Sequence, residues 1–404
     1  MKTKISLIAV LVWFASLHQA TASLTNQQAL AAANNGFAFK LLKQLAKDQP
    51  VANIFISPYS ASAVLQMVGS GAAGQTKTEM QQVLGTTGLS SDTVSAANKE
   101  IAQSLNSGNT NIILTTANAI WYRQDAHVKP EFIARNQQFF SATVAPLNFA
   151  DPHSVDVINA WANEKTHGKI SRIADGMIDP VWTRLFLANA VYFKGKWADP
   201  FDAKDTKDRP FYLRGGSQKD VPMMTQTKTF TYRRGTGYQA VRLPYQDENL
   251  ATYVFLPDTN SSPEKLLGIM NGDTWQRVTK PGFSEKEGTV VLPKFKLEYS
   301  VELNQPLQAM GMKTAFDMEK ADFSGIATNL YISAARQKTF VEVKEEGTEA
   351  AAVTGIPMPN SVGIHMPPPN PFQMIVDRPF LFLIEDKPTG TILFMGALFN
   401  PQTN

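Results

Sequence analysis

The eleven residues TRLFLANAVYF (Thr183–Phe193) constrain the fold more than any other stretch, because they are apolar almost without interruption. A half-exposed strand alternates polar and apolar side chains, whereas a run like this reads as a central strand buried on both faces. Helical periodicity precedes it. From about Asn26 to Lys47, Leu30, Ala33, Phe37, Leu41, Leu42 and Leu45 form one face of a long amphipathic helix. Ser57-Pro58 opens a second helix, with serine as cap, proline at the first position, and Leu65, Met67 and Val68 in its interior. Further short helices are expected up to about Asn106. NIILTTANAIWY (Asn111–Tyr122) reads as a strand and Ser154–His167 as an amphipathic helix. After Lys194 strand patterns dominate, ending in RPFLFLIED and GTILFMGALF, which the turn Lys387-Pro388-Thr389-Gly390 joins as a hairpin. Helices concentrate early and strands late, and neither a repeat nor a Pro/Gly/Ser-rich linker divides the 404 residues. The expectation is one α+β domain with a large core.

The N-terminus follows a different pattern. Lys2 and Lys4 precede the apolar stretch Ile5–Leu17, which is too short to span a bilayer, and Ala20-Thr21-Ala22 fits a cleavage site. Residues 1–22 therefore read as a signal peptide, residues 23–404 as the mature domain, and the protein as secreted, extracellular or periplasmic according to the host. Losing two lysines and no acids lowers the net charge from +3 to +1. No basic tract then remains to suggest a nucleic acid or an anionic membrane as partner. The sequence has no cysteine, which excludes disulfides, thiol catalysis and cysteine-held zinc.

Motifs that look catalytic fail on context. Gly69-Ser70-Gly71-Ala72-Ala73-Gly74 matches a dinucleotide-binding glycine pattern, but a capped helix precedes it where a strand is needed. Gln75 stands where a phosphate loop needs lysine, so the glycines read as a helix end packed closely against a neighbour. The five histidines, His18, His127, His153, His167 and His365, have no metal-ligand spacing, and no G-x-S-x-G elbow occurs. No metal, cofactor or catalytic group is expected, and the chain reads as a non-enzyme.

VEVKEEGTEAAAVTGIPMPNSVGIHMPPPNPF (Val341–Phe372) is the unusual segment. In an extended conformation, one face from Gly347 onward carries Thr348, Ala350, Ala352, Thr354 and Ile356, which are small and uncharged almost throughout. Alanine runs form helices better than strands, so these alanines need another reason, such as a segment that changes conformation. The plainer reading is a strand edge leading into a surface loop.

EEGTEAAAVT (Glu345–Thr354) resembles the hinge of inhibitory serpins, the serine protease inhibitor superfamily. The resemblance extends over nearly all of the mature chain. It includes NIFISPYSASAVLQMVGSGAAGQTKTEM (Asn53–Met80), LANAVYFKGKW (Leu187–Trp197), LPKFKLEY (Leu292–Tyr299), DFSGI (Asp322–Ile326) and TGTILFMGALFNP (Thr389–Pro401). It implies the single-domain serpin fold: a large, mostly antiparallel central sheet, smaller sheets, about eight or nine helices, and an exposed reactive loop over about 345–371. It implies suicide-substrate inhibition, in which a protease cleaves the loop and the loop inserts into the sheet before the acyl-enzyme is hydrolysed. The alternative is a non-inhibitory carrier or chaperone, which bulky or charged hinge residues would have favoured.

The resemblance also implies residue roles. Glu345, Glu346, Gly347, Thr348, Glu349, Ala350, Ala351 and Ala352 match the hinge. Trp197 and Lys294, the latter paired with Glu345, match the sheet top where insertion starts. Ser57, Ser60 and Asn189 match the polar cluster under the sheet centre, where Gln337 replaces the family's usual histidine. Counting from Gly347 puts the reactive bond between Ser361 and Val362, or a few residues later, for example after Met366. Gly355–Pro371 holds no lysine or arginine, so the expected target is an elastase-like, subtilisin-like or chymotrypsin-like protease rather than a trypsin-like one. No activating cofactor is expected, and the protein should be a monomer.

Overall fold

The computed structural model describes residues 24–105, 112–348 and 370–402. The leader at 1–22 and the loop residues Glu349, Ala350, Ala351, Ala352, Ser361 and Val362 lie outside the described residues.

The helical part comes first. α1 (Asn26–Asp48) starts at a reciprocal cap in which Thr25 Oγ1 accepts from Gln28 N at 3.2 Å and Gln28 Oε1 accepts from Thr25 N at 3.1 Å. It buries Leu30, Phe37, Leu41, Leu42 and Leu45, the face that its periodicity marks. α2 (Pro58–Gly69) has Ser57 as cap and is buried along nearly its whole length. α3 (Gly74–Leu84) and α4 (Ser91–Leu105) follow. The glycines between α2 and α3 serve close packing: a Cβ on Gly71 would fall 2.3 Å from Ile326.

The strands are β1 (Ile54–Ile56), β2 (Ile112–Arg123), β3 (Thr143–Leu147), β4 (Leu185–Lys196), β5 (Lys207–Tyr212), β6 (Gln218–Gly235), β7 (Tyr238–Pro244), β8 (Leu250–Pro257), β9 (Ser284–Pro293), β10 (Phe295–Glu302), β11 (Ile332–Lys344), β12 (Gly347–Thr348), β13 (Phe372–Ile375), β14 (Phe380–Asp386) and β15 (Thr391–Leu398). Interleaved with them are α5 (Pro130–Phe140), α6 (Ser154–Lys165), α7 (Pro263–Ile269), α8 (Gly272–Thr274) and α9 (Asn304–Ala309). They form two sheets. One runs β1-β15-β14-β8-β7-β6-β9-β13, with β5 added on β6; the other runs β10-β11-β12-β4-β2-β3. The second sheet is mixed. Its pairs are antiparallel except β2–β3 and β11–β4, which are parallel.

β4 occupies the centre of this sheet and is buried on both faces. Leu185, Leu187, Val191 and Phe193 point into the main core, while Phe186, Ala188 and Ala190 point into a second core built with Trp121 and Trp161. Trp161 belongs to α6, which covers that face and sets its ring edge-on to Trp121, 5.1 Å between centroids. The alternation of strand side chains thus divides one apolar run between two cores.

Candidate functional site

The site begins where β4 and β11 part. They pair in parallel from Ile332↔Leu185 up to Phe340↔Tyr192 and no further. Above that level β12 lies between them, antiparallel to both: Thr348 faces Val343 on one side and Gly195 on the other, and Gly347 faces Lys344 and Lys196. The loop expected to be exposed from about 345 therefore starts with buried residues. Glu345 is 6% exposed and Thr348 1%. The reasons are steric and polar. Gly347 has φ +152, and a Cβ there would fall 2.1 Å from the Gly195 carbonyl oxygen, so only glycine lets the two backbones pass this closely. The Thr348 hydroxyl, once buried, needs a partner and has one in the Tyr245 hydroxyl at 2.8 Å. Tyr245 OH is in turn 2.7 Å from Thr252 Oγ1, and burial pushes its pKa up, so it keeps its proton and can donate.

Trp197 and Lys294 converge on the same corner. The Trp197 ring stacks on Tyr245 at 4.7 Å and its Nε1 donates to Lys344 O at 3.0 Å. Trp197 N donates to Glu346 O and Phe201 N to Glu345 O, which fixes the turn between β11 and β12. Lys294 Nζ lies 2.8 Å from Glu345 Oε2, and Thr206 Oγ1 donates to Glu345 Oε1 at 2.9 Å. Burial pushes the Glu345 carboxyl up. The hydrogen bonds from Lys294, its own backbone and Thr206 outweigh burial, so its pKa lies below the ordinary value.

Ser57, Ser60, Asn189 and Gln337 meet lower down, all fully buried. Gln337 Nε2 donates to Ser57 O at 2.8 Å and also to Asn189 Oδ1, while Gln337 Oε1 accepts from Ser57 N at 2.9 Å. Asn189 Nδ2 donates to Asn118 Oδ1 at 2.6 Å and also to Ser60 Oγ. Ser57 Oγ donates to Leu393 O at 2.7 Å, tying α2 to the other sheet. Gln337 and Asn189 are opposite each other in the β11–β4 register, so their bond closes the sheet below β12.

Three residues of this arrangement escape sequence reasoning. Tyr245 and Thr206 carry no local signal, because their partners lie 103 and 139 residues away. Asn118 does carry one: Ala117-Asn118-Ala119 repeats the pattern of Ala188-Asn189-Ala190, and the two asparagines face each other across β2 and β4. A polar residue inside each of two apolar strands is a sign of a buried pair.

A family profile described as "Serpin (serine protease inhibitor)" matches residues 32–401. The chain belongs to the serpin family. It is 37% identical over 384 residues to the leukocyte elastase inhibitor of Bos taurus, covering 92% of this chain and 99% of that one. It is 38% identical over 383 residues to Serpin B6 of Pongo abelii, again covering 92% and 99%. Among solved structures it resembles native protease nexin-1 with heparin, with a TM-score of 0.83, 32% identity, and 93% and 100% of the two chains covered. This serpin thus sits in a family of protease inhibitors. The same matches correct the expectation of secretion. The leukocyte elastase inhibitor and Serpin B6 are intracellular-type serpins without a signal peptide, so the N-terminal pattern of charge and apolarity does not establish export.

Proposed function

We propose that this serpin is a suicide-substrate inhibitor of proteases that prefer small or medium apolar residues. The protease serine attacks the Ser361 carbonyl, the bond to Val362 breaks, and the new amino terminus leaves with the proton, so the protease stays ester-linked to Ser361. The freed segment then enters the sheet as a strand between β4 and β11. The observation that carries this reading is β12, whose two residues already lie between those strands in antiparallel register with both.

Energetics favour insertion only when burial is counted. A hydrogen bond contributes about 1 kcal/mol net, and ordering a residue costs about 1–2 kcal/mol, so a central-strand residue with up to two bonds roughly breaks even. The small uncharged inward face from Thr348 to Ile356 adds apolar burial without charge desolvation. The intact form is then held kinetically. In this reading Glu345, Glu346, Gly347 and Thr348 are the hinge, with Trp197, Lys294 and Tyr245 holding its entry. The cluster of Ser57, Ser60, Asn118, Asn189 and Gln337 must open for the strand to pass.

The absence of lysine and arginine from Gly355–Pro371 gives a trypsin-like pocket nothing to pair with. Incubation with elastase, subtilisin, chymotrypsin and trypsin, followed by denaturing electrophoresis, tests both halves. A covalent complex is expected with one or more of the first three. Rapid trapping of trypsin with the others ignored would refute the target class, and no complex with any of them would refute the mechanism.

A further inference from the structure

Phe340 and Tyr192 are the last facing pair of β11 and β4 before β12 intervenes, so they stand at the fork of the sheet. Both are buried, at 6% and 4% exposure, yet they lie outside the two cores, on the face opposite Val191 and Val341. Their ring centroids are 6.2 Å apart. Lys169 Nζ lies 5.8 Å from the Tyr192 centroid and 5.8 Å from the Phe340 centroid. One ammonium thus spans the seam between the strands, close enough to be attracted to both ring faces. Lys296, on β10, brings a second ammonium to 5.7 Å from Phe340.

The backbone of Lys169 is anchored. It follows α6 in a turn where His167 and Gly168 have φ +52 and +82. Lys169 N donates to Thr166 O at 3.0 Å and Ile170 N to Thr166 Oγ1 at 2.9 Å, with Ile170 fully buried. The chain then runs along β11 as a strap. Lys338 Nζ donates to Arg172 O at 2.9 Å and Arg336 Nη1 to Asp175 O at 3.1 Å. Arg336, Lys338 and Phe340 alternate along β11 and so share the face that the strap crosses. Arg336 and Lys338 tie the strap to β11, whereas Lys169 reaches a ring from each strand and so feels their separation.

We infer that Lys169 is a positioning residue for the inhibitory step: its ammonium, over Tyr192 and Phe340 together, holds the fork of the sheet closed until a cleaved loop parts it. The inference rests on the insertion reading above and adds to it what keeps the fork shut. A strand entering between β4 and β11 moves them apart by one strand spacing, about 4.8 Å. The 6.2 Å between the rings then grows to about 11 Å. An ammonium reaches both rings at that separation only on the line between them, which the new strand occupies. Opening therefore costs the exposed Lys169 one of its two rings, a factor of about two to five in rate.

The test is the first-order limit of covalent-complex formation at saturating elastase or subtilisin, whichever is trapped, read by acid quench and denaturing electrophoresis. Lys169→Met keeps an unbranched side chain and removes its charge, so the limit should rise about two- to fivefold. Lys169→Arg keeps a cation over the rings and should restore the slower limit. Phe340→Leu removes one ring from the other side of the contact. It should also raise the limit, and Lys169→Met should add little on top of it. Loop-cleaved Lys169→Met should melt at the temperature of the loop-cleaved unaltered chain, because the inserted strand has already parted the rings, while intact Lys169→Met should melt lower than the intact chain. An unchanged or slower limit in Lys169→Met would overturn the clasp and leave insertion standing. So would an arginine variant as fast as the methionine one, additive effects with Phe340→Leu, or an equal loss of melting temperature in the intact and cleaved forms. Absence of covalent complex from the unaltered chain would count against insertion itself, and this inference would fall with it.

Discussion

Thr348→Arg places a permanent charge at the first point of the sheet that the loop occupies. Thr348 is 1% exposed, its hydroxyl is bonded to Tyr245, and Trp197, Phe295, Val343 and Phe380 surround it. The adjoining cavity is about 10 Å³, room for no more than one water. The nearby carboxylate, Glu345, is already paired with Lys294. An unpaired buried charge costs several kcal/mol. Taking about 3 kcal/mol as the low end, insertion slows on the order of 100-fold, since each 1.36 kcal/mol is tenfold in rate. The arginine also expels β12 from its resting place. Attack on the loop is untouched, because the change lies thirteen residues before Ser361. Hydrolysis of the acyl-enzyme then outruns insertion. Titration of a trapped protease, read by residual activity and by denaturing electrophoresis, should show mostly cleaved serpin and a stoichiometry of inhibition raised about tenfold or more. Thr348→Val keeps the shape and leaves the Tyr245 hydroxyl bonded to Thr252, so it should stay near wild type. A Thr348→Arg variant that forms stable complex at the wild-type rate and yield would refute hinge insertion as the inhibitory step.

Gly347→Ala should raise the stoichiometry of inhibition severalfold, because its Cβ would fall 2.1 Å from the Gly195 carbonyl oxygen; an unchanged value would mean that the close passage is not used. Lys280→Ala removes the partner 2.8 Å from Glu385, whose side chain is 1% exposed. The loss should be roughly 3–5 kcal/mol at pH 7. Burial, against the pull of Lys280, holds the Glu385 pKa above its ordinary value, so the native state takes up a proton that the unfolded state does not. Stability of the variant relative to wild type should therefore recover as pH falls from 7.5 to 5, and a deficit in melting temperature independent of pH would contradict this. Gln337→His introduces a titratable group into a cluster whose Ser57, Ser60, Asn118, Asn189 and Gln337 side chains do not titrate near neutrality. A buried neutral imidazole has a lowered pKa, so the variant should lose stability relative to wild type as pH drops below about 6.5. A constant difference between pH 7.5 and 5.5 would show that position 337 tolerates the charge.

Local pattern carries much of this molecule and long-range register carries the rest. The apolar run at Thr183–Phe193 is sufficient to place β4 between two cores, and the Ser57-Pro58 start of α2 is readable from two residues. Counting back from Glu345 reaches Gln337, and that glutamine does lie among Ser57 and Asn189. What sequence does not show is how far the hinge already reaches. Thr348 is buried because Gly347 passes Gly195 and because Tyr245 offers a hydroxyl, two contacts made across large separations. Nor does alternation distinguish a parallel neighbour from an antiparallel one, so the β11–β4 pairing, which decides where a new strand must enter, is visible only in three dimensions. The N-terminal stretch gives the opposite lesson: a charge and hydropathy pattern that fits a leader says nothing of where relatives of this chain reside.

Insertion is most directly tested by calorimetry of the intact protein and of protein cleaved once in the loop by a non-trapped protease. If the cleaved loop becomes a full strand between β4 and β11, it fills the sheet with hydrogen bonds and apolar contacts that the intact form lacks, and the cleaved protein should melt at a clearly higher temperature. Equal melting temperatures for the two forms would mean that the loop stays outside the sheet, and that this serpin does not trap proteases by strand insertion.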